Sequence, residues 1–485
     1  MKVQSAPTHP AVTTPNLETR PALVARPEVI AAASAAIEKE FAKLCPQSLL
    51  LHSRASNVFP GGVTHDNRCV GAPSHFIRRA EGAIKWDQDG HRYVDYWVGH
   101  GALLLGHRRR EVLEAIHLAA QDITHPGACH EREVVWAELI QQMIPTAERV
   151  RFTASGSEAS ALAVRLARAM TKKEVIIKFE GHFHGWLDHA VNGIDLPFET
   201  PWSSGVPGCV RDLTLVLPTD LKVVEAVLDE RDDIAGIILE PTGASGGSVP
   251  LRSDFLRGLR DLASRNGVAL IFDEVITGFR LAPGGAQERF NVQPDLTCLA
   301  KVLAGGMPGG AVCGSREAFA AMEFSGDAKK DRTRRVAQYG TFNASPVCAA
   351  AGIATLSLIQ GGEPCKRAEA FATKLRNGLN HLFEHENLDW AAYGVSSVFH
   401  ILTSDAAAAQ KIRDGQLQPA DVSAKVLKQK GTLDGLLRRA LLLEGVDLPP
   451  GRQAWVSAAH GNGELSETLD AFARAIARLR ELRVI

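Results

Sequence analysis

Ile271-Phe272-Asp273-Glu274-Val275 and, further on, Pro294-Asp295-Leu296-Thr297-Cys298-Leu299-Ala300-Lys301 decide the reading of this chain. Each is a short apolar run that ends in a charged group. Such a run reads as a buried strand delivering that group to the edge of a sheet. The first delivers a carboxylate and the second an amine. A glycine-rich run, Gly305-Gly306-Met307-Pro308-Gly309-Gly310, follows the lysine and lets backbone pass close to a ligand. An aspartate and a lysine at neighbouring strand ends are what pyridoxal phosphate needs. The lysine forms a Schiff base with the aldehyde, and the aspartate keeps the pyridine nitrogen protonated. The pair alone does not decide the matter, because strand-end lysines are commonly solvated and buried aspartates commonly cap turns.

Working outward, strand patterns alternate with helix patterns from residue 149 to 345. The strand candidates are Val150–Thr153, Val175–Phe179, Leu213–Leu217, Ile234–Leu239, Ala269–Phe272 and Leu296–Leu299. That succession predicts an α/β fold with a mostly parallel sheet covered on both faces. Ligands of such sheets sit at the carboxyl ends of the strands. From Pro346 the pattern changes to long helices (347–358, 366–383), short strands (398–402, 454–457) and a last amphipathic helix (465–482), which reads as a smaller α+β domain. The N-terminal side has a Pro/Thr/Ala-rich stretch to about residue 28 that reads as a mobile tail. It continues with a helix from Pro27, a hairpin about Asp89-Gly90 and a helix from Arg110 to Ala120. The division expected is 1–45 tail and helix start, 46–110 a segment packing with the small domain, 111–345 a large cofactor-binding domain and 346–485 the small domain.

The 485 residues carry 54 basic and 55 acidic side chains, which gives no argument for a nucleic acid or anionic membrane partner. The eight cysteines are scattered without CxxC pairs, as expected of reduced thiols in a cytoplasmic protein rather than a disulfide frame or zinc site. No apolar run is long enough to span a bilayer, and the N-terminus lacks the apolar core of a secretory signal.

Four further stretches supply chemistry near the same sheet edge. Ser155-Gly156-Ser157-Glu158 opens a helix whose apolar positions 159, 162, 163, 166 and 170 share one face. Its N-terminal amides and hydroxyls suit a phosphate, the alternative being an ordinary serine cap. Glu180-Gly-His-Phe-His-Gly185 offers Phe183 to stack on a flat ring, with His184 beside it. No carboxylate or thiol stands at ligand spacing from His182 or His184, so no metal is expected. Glu240 ends another strand, as a cofactor neighbour or a structural acceptor. Thr341, in Gly340-Thr341-Phe342-Asn343, is a phosphate ligand or a turn residue. Together these supply a phosphate cradle, a ring stacker, a pyridinium partner and a Schiff-base lysine.

The chain resembles class III aminotransferases of pyridoxal-phosphate fold type I, in the branch of glutamate-1-semialdehyde aminomutase. The resemblance covers roughly residues 50 to 480 and rests on FPGGVT, WDQDGHRYVDY, LLGH, RFTASGSEA, FEGHFHGW, ILEP, IFDEVITGFR, PDLTCLAK, AGGMPGG and GTFNASP. It implies that Lys301 is the Schiff-base lysine and Asp273 the pyridine-nitrogen partner. Phe183 takes the place of the usual ring-stacking tyrosine, and Val275 packs the opposite ring face. Gly156 and Ser157 hold the phosphate, and Thr341 reaches it from the second subunit of a homodimer.

Within the branch the chain departs from the aminomutase pattern. Gly99-His100-Gly101 stands where aminomutases carry Ser-Trp-Gly, and Arg452 stands near the place of a glutamate before Ser457-x-x-His460. Arg68 and Arg452 are candidates for a substrate carboxylate, and surface or structural roles are their alternatives. The chain looks similar to D-phenylglycine and β-phenylalanine aminotransferases. The reading is therefore a ping-pong aminotransferase acting on an amino acid, such as an aryl D-amino or β-amino acid, and a 2-oxo acid. The alternative is intramolecular amino transfer of the aminomutase type. A nicotinamide oxidoreductase ranks low, because Ser-Gly-Ser-Glu-Ala stands where its GxGxxG would be.

Overall fold

The computed structural model describes residues 25–69, 75–429, 431–450 and 453–485. Residues 1–24, which hold most of the expected tail, and Arg452 lie outside the described residues.

A seven-stranded sheet forms the centre. Its strands are β1 (Arg149–Thr153), β2 (Val175–Phe179), β3 (Thr214–Leu217), β4 (Ile234–Leu239), β5 (Ala269–Asp273), β6 (Leu296–Ala300) and β7 (Gly310–Gly314). Their spatial order is β1-β7-β6-β5-β4-β2-β3. All pairings are parallel except those of β7, which runs antiparallel to both neighbours. The six strands expected from the apolar runs are present. The seventh was not expected: Gly310-Ala-Val-Cys-Gly314 is short and bounded by glycine, so it reads as the end of a glycine-rich loop.

Every residue of β2, β4, β5, β6 and β7 is buried. A parallel sheet covered on both faces requires this, and it explains continuous apolar runs in place of alternation. The helix Gly156–Thr171 lies on one face and buries Ala159, Leu162, Ala163, Leu166 and Ala167. Helices Leu221–Glu230 and Ser253–Arg265 cover the other face through Val224, Leu228, Phe255, Leu256 and Leu259. Each such leucine or phenylalanine contributes about 1.5–3 kcal/mol by leaving water.

The N-terminal hairpin, Ile84–Asp87 and Arg92–Asp95, forms as expected, and Ile77–Glu81 joins its outer side. Its inner side pairs with Val446–Asp447 from far along the chain. Lys85 lies buried between Asp95 (2.9 Å) and Asp447 (2.6 Å). Despite burial, the Lys85 ammonium holds both carboxyls below the usual carboxylate range.

Helix Pro346–Ile359 crosses the helices Arg110–Asp122 and Glu131–Met143 and touches the turn that carries Lys301. The crossing is close because residue 352 is glycine: a Cβ there would lie 2.4 Å from the buried Trp136 indole. Helix Glu363–His385 instead packs on the last helix, Asn462–Glu481. Among the described residues no helix is long and apolar enough to cross a membrane.

Candidate active site

Strands β5 and β6 run parallel with Cys298 opposite Asp273. Asp273 thus ends its strand beside β6, and Lys301 follows just past the end of β6 in a short 3-10 turn, Lys301–Ala304. The lysine backbone takes φ +53°, a left-handed conformation that costs a non-glycine residue on the order of 1 kcal/mol. Lys301 is partly buried. Enclosure pushes its amine down from 10.5 to about 8, against the opposing pull of Asp273 and Glu240. An amine that loses its proton near neutral pH can act as nucleophile and base.

Asp273 is 4 % exposed. Its Oδ1 accepts the Val275 amide at 3.1 Å, and its Oδ2 meets His184 Nδ1 at 2.8 Å. The imidazole proton facing that carboxylate sits on Nδ1, which leaves His184 Nε2 buried and without a partner among the described residues. The Gly-His-Phe-His-Gly loop is pinned from three sides. Ser160 Oγ donates to the His184 carbonyl at 2.5 Å, and the Glu240 amide donates to His182 Nδ1 at 3.0 Å. Gly185 has φ +99° and lies so close to Ser157 that a Cβ there would stand 2.6 Å from the hydroxyl. Only glycine meets both demands.

Glu240 lies buried at the end of β4. Its carboxylate accepts three amides, those of Phe183 (2.9 Å), Ser245 (2.8 Å) and Gly246 (2.9 Å). Its atoms are thus committed to the Phe183 amide and to the turn that follows Glu240 itself, so the carboxylate ties that turn to the loop that presents Phe183. The Phe183 ring is 42 % exposed, with its only described ring contact an edge-on approach to Trp202. That ring is open to stack on a ligand.

At the helix starting with Gly156, Ser155 caps by accepting the Glu158 amide at 3.2 Å, and Glu158 in turn accepts the Ala154 amide at 2.6 Å. Among the described residues, no acceptor meets the amides of Gly156 and Ser157, which point out of the first turn. A Cβ on Gly156 would stand 3.0 Å from both γ-carbons of Val275 and 3.4 Å from Ala300. The glycine therefore joins the helix start to Val275 and the Lys301 strand in one cradle.

The arrangement fits a phosphorylated pyridine aldehyde. It has an open amide pair at a helix N-terminus, a free aromatic face, a carboxylate fixed by a histidine, and an amine of lowered basicity.

His100 takes φ +56° in the short turn Val98–Gly101. Its ring stacks on His65 at 4.9 Å and meets Trp97 edge-on at 4.9 Å. Burial, His65, Arg68 and Lys301 push the imidazole down to about 4. The turn Val98–Gly101 touches the turn Lys301–Ala304, so His100, with His65 stacked on it, lies on the lysine side of the site. Arg68 is exposed and donates to Thr64 Oγ1 at 2.9 Å. Thr341 is exposed on a loop with Tyr339 and Phe342, and its carbonyl accepts from His125 Nε2 at 2.6 Å.

Three groups around the site escape sequence reading. Lys178 lies buried in β2, donates to the carbonyls of Ala190 (2.9 Å) and Asn192 (2.6 Å), and is pushed down by burial to about 7. His65 shows no local signal, because only the fold stacks it on His100. Arg280 is fully buried without a carboxylate partner among the described residues. It donates to Ser397 Oγ (3.0 Å) and to the carbonyls of Val456 (3.0 Å) and Gly101 (2.5 Å). Its place in the apolar run Val275-Ile-Thr-Gly-Phe-Arg280, with no acid beside it, was the available hint.

Residues 67–389 match the family described as aminotransferase class-III. A glutamate-1-semialdehyde 2,1-aminomutase of Aquifex aeolicus is 36% identical over 440 residues, 88% of this chain and 99% of that one. Its counterpart in Syntrophobacter fumaroxidans is 39% identical over 449 residues, covering 90% and 98%. Among solved structures, an omega-transaminase from Sphaerobacter thermophilus superposes with a TM-score of 0.80 at 30% identity, covering 89% and 97%. A beta-phenylalanine aminotransferase from Variovorax paradoxus gives 0.77 at 29% identity, covering 93% and 98%. These matches span nearly the whole described fold and agree with the chemistry that the strand ends assemble. The chain belongs to the class-III aminotransferases, enzymes of fold type I that work with pyridoxal phosphate.

Proposed function

We propose that this enzyme moves an amino group on a small carboxylate-bearing substrate, with Lys301 as Schiff-base lysine and proton carrier. The observation that carries the reading is the convergence of a lysine of lowered basicity with a histidine-held carboxylate at adjacent strand ends. Pyridoxal phosphate, when bound, supplies an electron sink for the carbon that bears the amino group.

The protein does the rest. The Gly156 and Ser157 amides hold the phosphate, and Ser155 shapes their turn as its cap. Phe183 and Val275 confine the ring from either face, with Glu240 fixing the Phe183 backbone. Asp273 keeps a proton on the pyridine nitrogen, and His184 orients Asp273. The Lys301 amine, once freed, takes the proton from the amine-bearing carbon and returns it at the neighbouring position. Arg68 and Arg452 are proposed for the substrate carboxylate and His100 for the wall of its pocket. Thr341 serves the site of a second copy in a homodimer, which agrees with the exposed Tyr339 and Phe342 beside it.

The curated relatives favour the intramolecular reaction, as in glutamate-1-semialdehyde 2,1-aminomutase, over transfer to a separate oxo acid. One observation favours the second reading, ping-pong transfer from an aryl amino acid: His100 packs with His65 and Trp97 into an aromatic wall, and Gly99-His100-Gly101 departs from the Ser-Trp-Gly of aminomutases at this point.

The deciding experiment offers purified holoenzyme a single substrate at a time, glutamate 1-semialdehyde or D- and L-arylglycines or β-phenylalanine, with and without a 2-oxo acid. Turnover of the semialdehyde without any acceptor establishes the intramolecular reaction. Strict dependence on the oxo acid establishes ping-pong transfer. Unchanged turnover in Lys301→Ala overturns both.

A further inference from the structure

We propose that Cys45, Asp87 and His91 form a structural site for a zinc-class divalent cation, away from the amino-transfer site. Cys45 interrupts the two N-terminal helices, Pro27–Leu44 and Pro46–Ser56. Asp87 ends the first strand of the hairpin, and His91 immediately precedes the second. The sequence separates Cys45 from the other two by some forty positions, so no ligand spacing shows in it.

The geometry is that of one face of a coordination tetrahedron. Cys45 Sγ lies 3.6 Å from Asp87 Oδ2 and 3.8 Å from His91 Nδ1, and these last two are 3.1 Å apart. A tetrahedral zinc ion with bonds of about 2.3 Å to sulfur and about 2.0–2.1 Å to nitrogen and oxygen needs sulfur edges of about 3.5–3.6 Å and a nitrogen–oxygen edge of about 3.3 Å. Small side-chain adjustments close the difference.

The ligands are preorganised by their neighbours. Asp87 Oδ1 accepts the amides of Asp89 (3.0 Å) and His91 (2.8 Å), which fixes the carboxylate plane. Tyr93 donates its hydroxyl to Asp87 Oδ2 at 2.7 Å, the kind of outer hydrogen bond that orients a metal-bound carboxylate. Asp89 accepts the amides of Gln47 (2.8 Å) and Ser48 (3.2 Å), so the helix junction and the hairpin turn are already held together. A turn-capping role accounts for Oδ1. It does not account for a thiol and an imidazole meeting on Oδ2.

A thiolate, an imidazole and a carboxylate select zinc over magnesium or calcium. Cys45 and His91 also line a cavity of about 370 Å³, together with Tyr93, Leu442 and Arg474, and water in it would supply the last ligand. The His91 side chain is 39% exposed, so an entry path exists. On binding, sulfur, nitrogen and oxygen each give a lone pair to the ion. The thiol proton leaves to solvent, the imidazole proton moves from Nδ1 to Nε2, and nothing is oxidised or reduced. The ion would clip the N-terminal helices to the hairpin whose far end leads into the turn of His100.

The test uses full-length holoenzyme in a Cys69→Ser/Cys129→Ser/Cys209→Ser parent, which removes the exposed thiols. After chelator treatment the protein is titrated with Co(II) and, separately, Zn(II). Difference spectra and melting temperature are read together. The proposal expects one equivalent per chain, a near-ultraviolet thiolate-to-cobalt band and a rise in melting temperature. Both signals vanish in Cys45→Ser, and affinity falls on the order of 10-fold in Tyr93→Phe. Absence of the band in the parent, or its survival in Cys45→Ser, overturns the site. If Cys45→Ser fails to fold, His91→Ala takes its place, and the parent's band and stoichiometry alone still decide.

Discussion

The lowered basicity of Lys301 predicts that the catalytic lysine destabilises the protein when no cofactor is attached. Its amine falls from 10.5 to about 8 in the folded chain. At about 1.36 kcal/mol per tenfold, that difference is about 3.4 kcal/mol. Lys301 is only partly buried, so solvent screening reduces the working value to about 2 kcal/mol.

The sign follows from proton counting. Below pH 8 the unfolded lysine is charged and the folded environment opposes that charge, so the cost of folding is fully present. As pH rises through about 8 toward 10.5, the unfolded lysine also loses its proton and the cost disappears. Lys301→Met in cofactor-stripped protein should therefore be more stable than wild type at neutral pH. With about 2.1 cal/mol/K of unfolding entropy per residue, each kcal/mol moves the melting temperature of a chain this long by about 1 °C, so the gain is about 2 °C.

The assay is calorimetry or fluorescence melting of both stripped proteins across that pH range. Methionine adds its own packing contribution, but that part does not depend on pH. A gap between variant and wild type that fails to narrow as pH rises would refute the reasoning.

His184→Phe removes a hydrogen bond to a buried carboxylate, worth about 1.5–3 kcal/mol. Turnover should fall roughly 10- to 100-fold with little change in KM, and steady-state kinetics on the reconstituted variant checks it. Gly156→Ala forces a methyl group to 3.0 Å from Val275. Overpacking of about 1–3 kcal/mol should lower cofactor affinity about tenfold or more, measured by equilibrium dialysis. Arg280→Leu strands the carbonyls of Gly101 and Val456 in the interior. It should cost about 2–4 kcal/mol in urea unfolding, and a loss within error of zero would mean that those carbonyls find other partners.

The central sheet was legible because burial on both faces writes its inner strands as unbroken apolar runs, and because β4, β5 and β6 are each followed or ended by a charged residue, Glu240, Asp273 and Lys301. Asp273 and Lys301 could be paired from the sequence for that reason. Strand β7 was not legible, since glycine at both ends hides a five-residue strand inside a loop signal. The commitment of Glu240 to three amides was equally invisible. A strand-end carboxylate looks the same whether it faces a ligand or its own loop, and only the folded Phe183 loop shows which. Arg280, Lys178 and the His65–His100 stack depend on contacts between distant segments, which no local pattern encodes. The same holds for the meeting of Cys45 with Asp87 and His91, since Cys45 reads in the sequence only as one of eight scattered reduced thiols.

The unexpected strand β7 also bears on how Lys301 can move. Because β7 returns antiparallel beside β6 and pairs on its other side with β1, the lysine stands directly at the end of one leg of a hairpin whose two legs are locked in register, from Leu296 opposite Gly314 to Ala300 opposite Gly310. The anchor is mechanically stiff. Any travel of the amine between holding the cofactor and ferrying a proton must come from rotation about the four carbon–carbon bonds of its own side chain. The sheet behaves as a fixed mount and the lysine as the swinging arm, with a reach set by side-chain length rather than by any flexing of the loop.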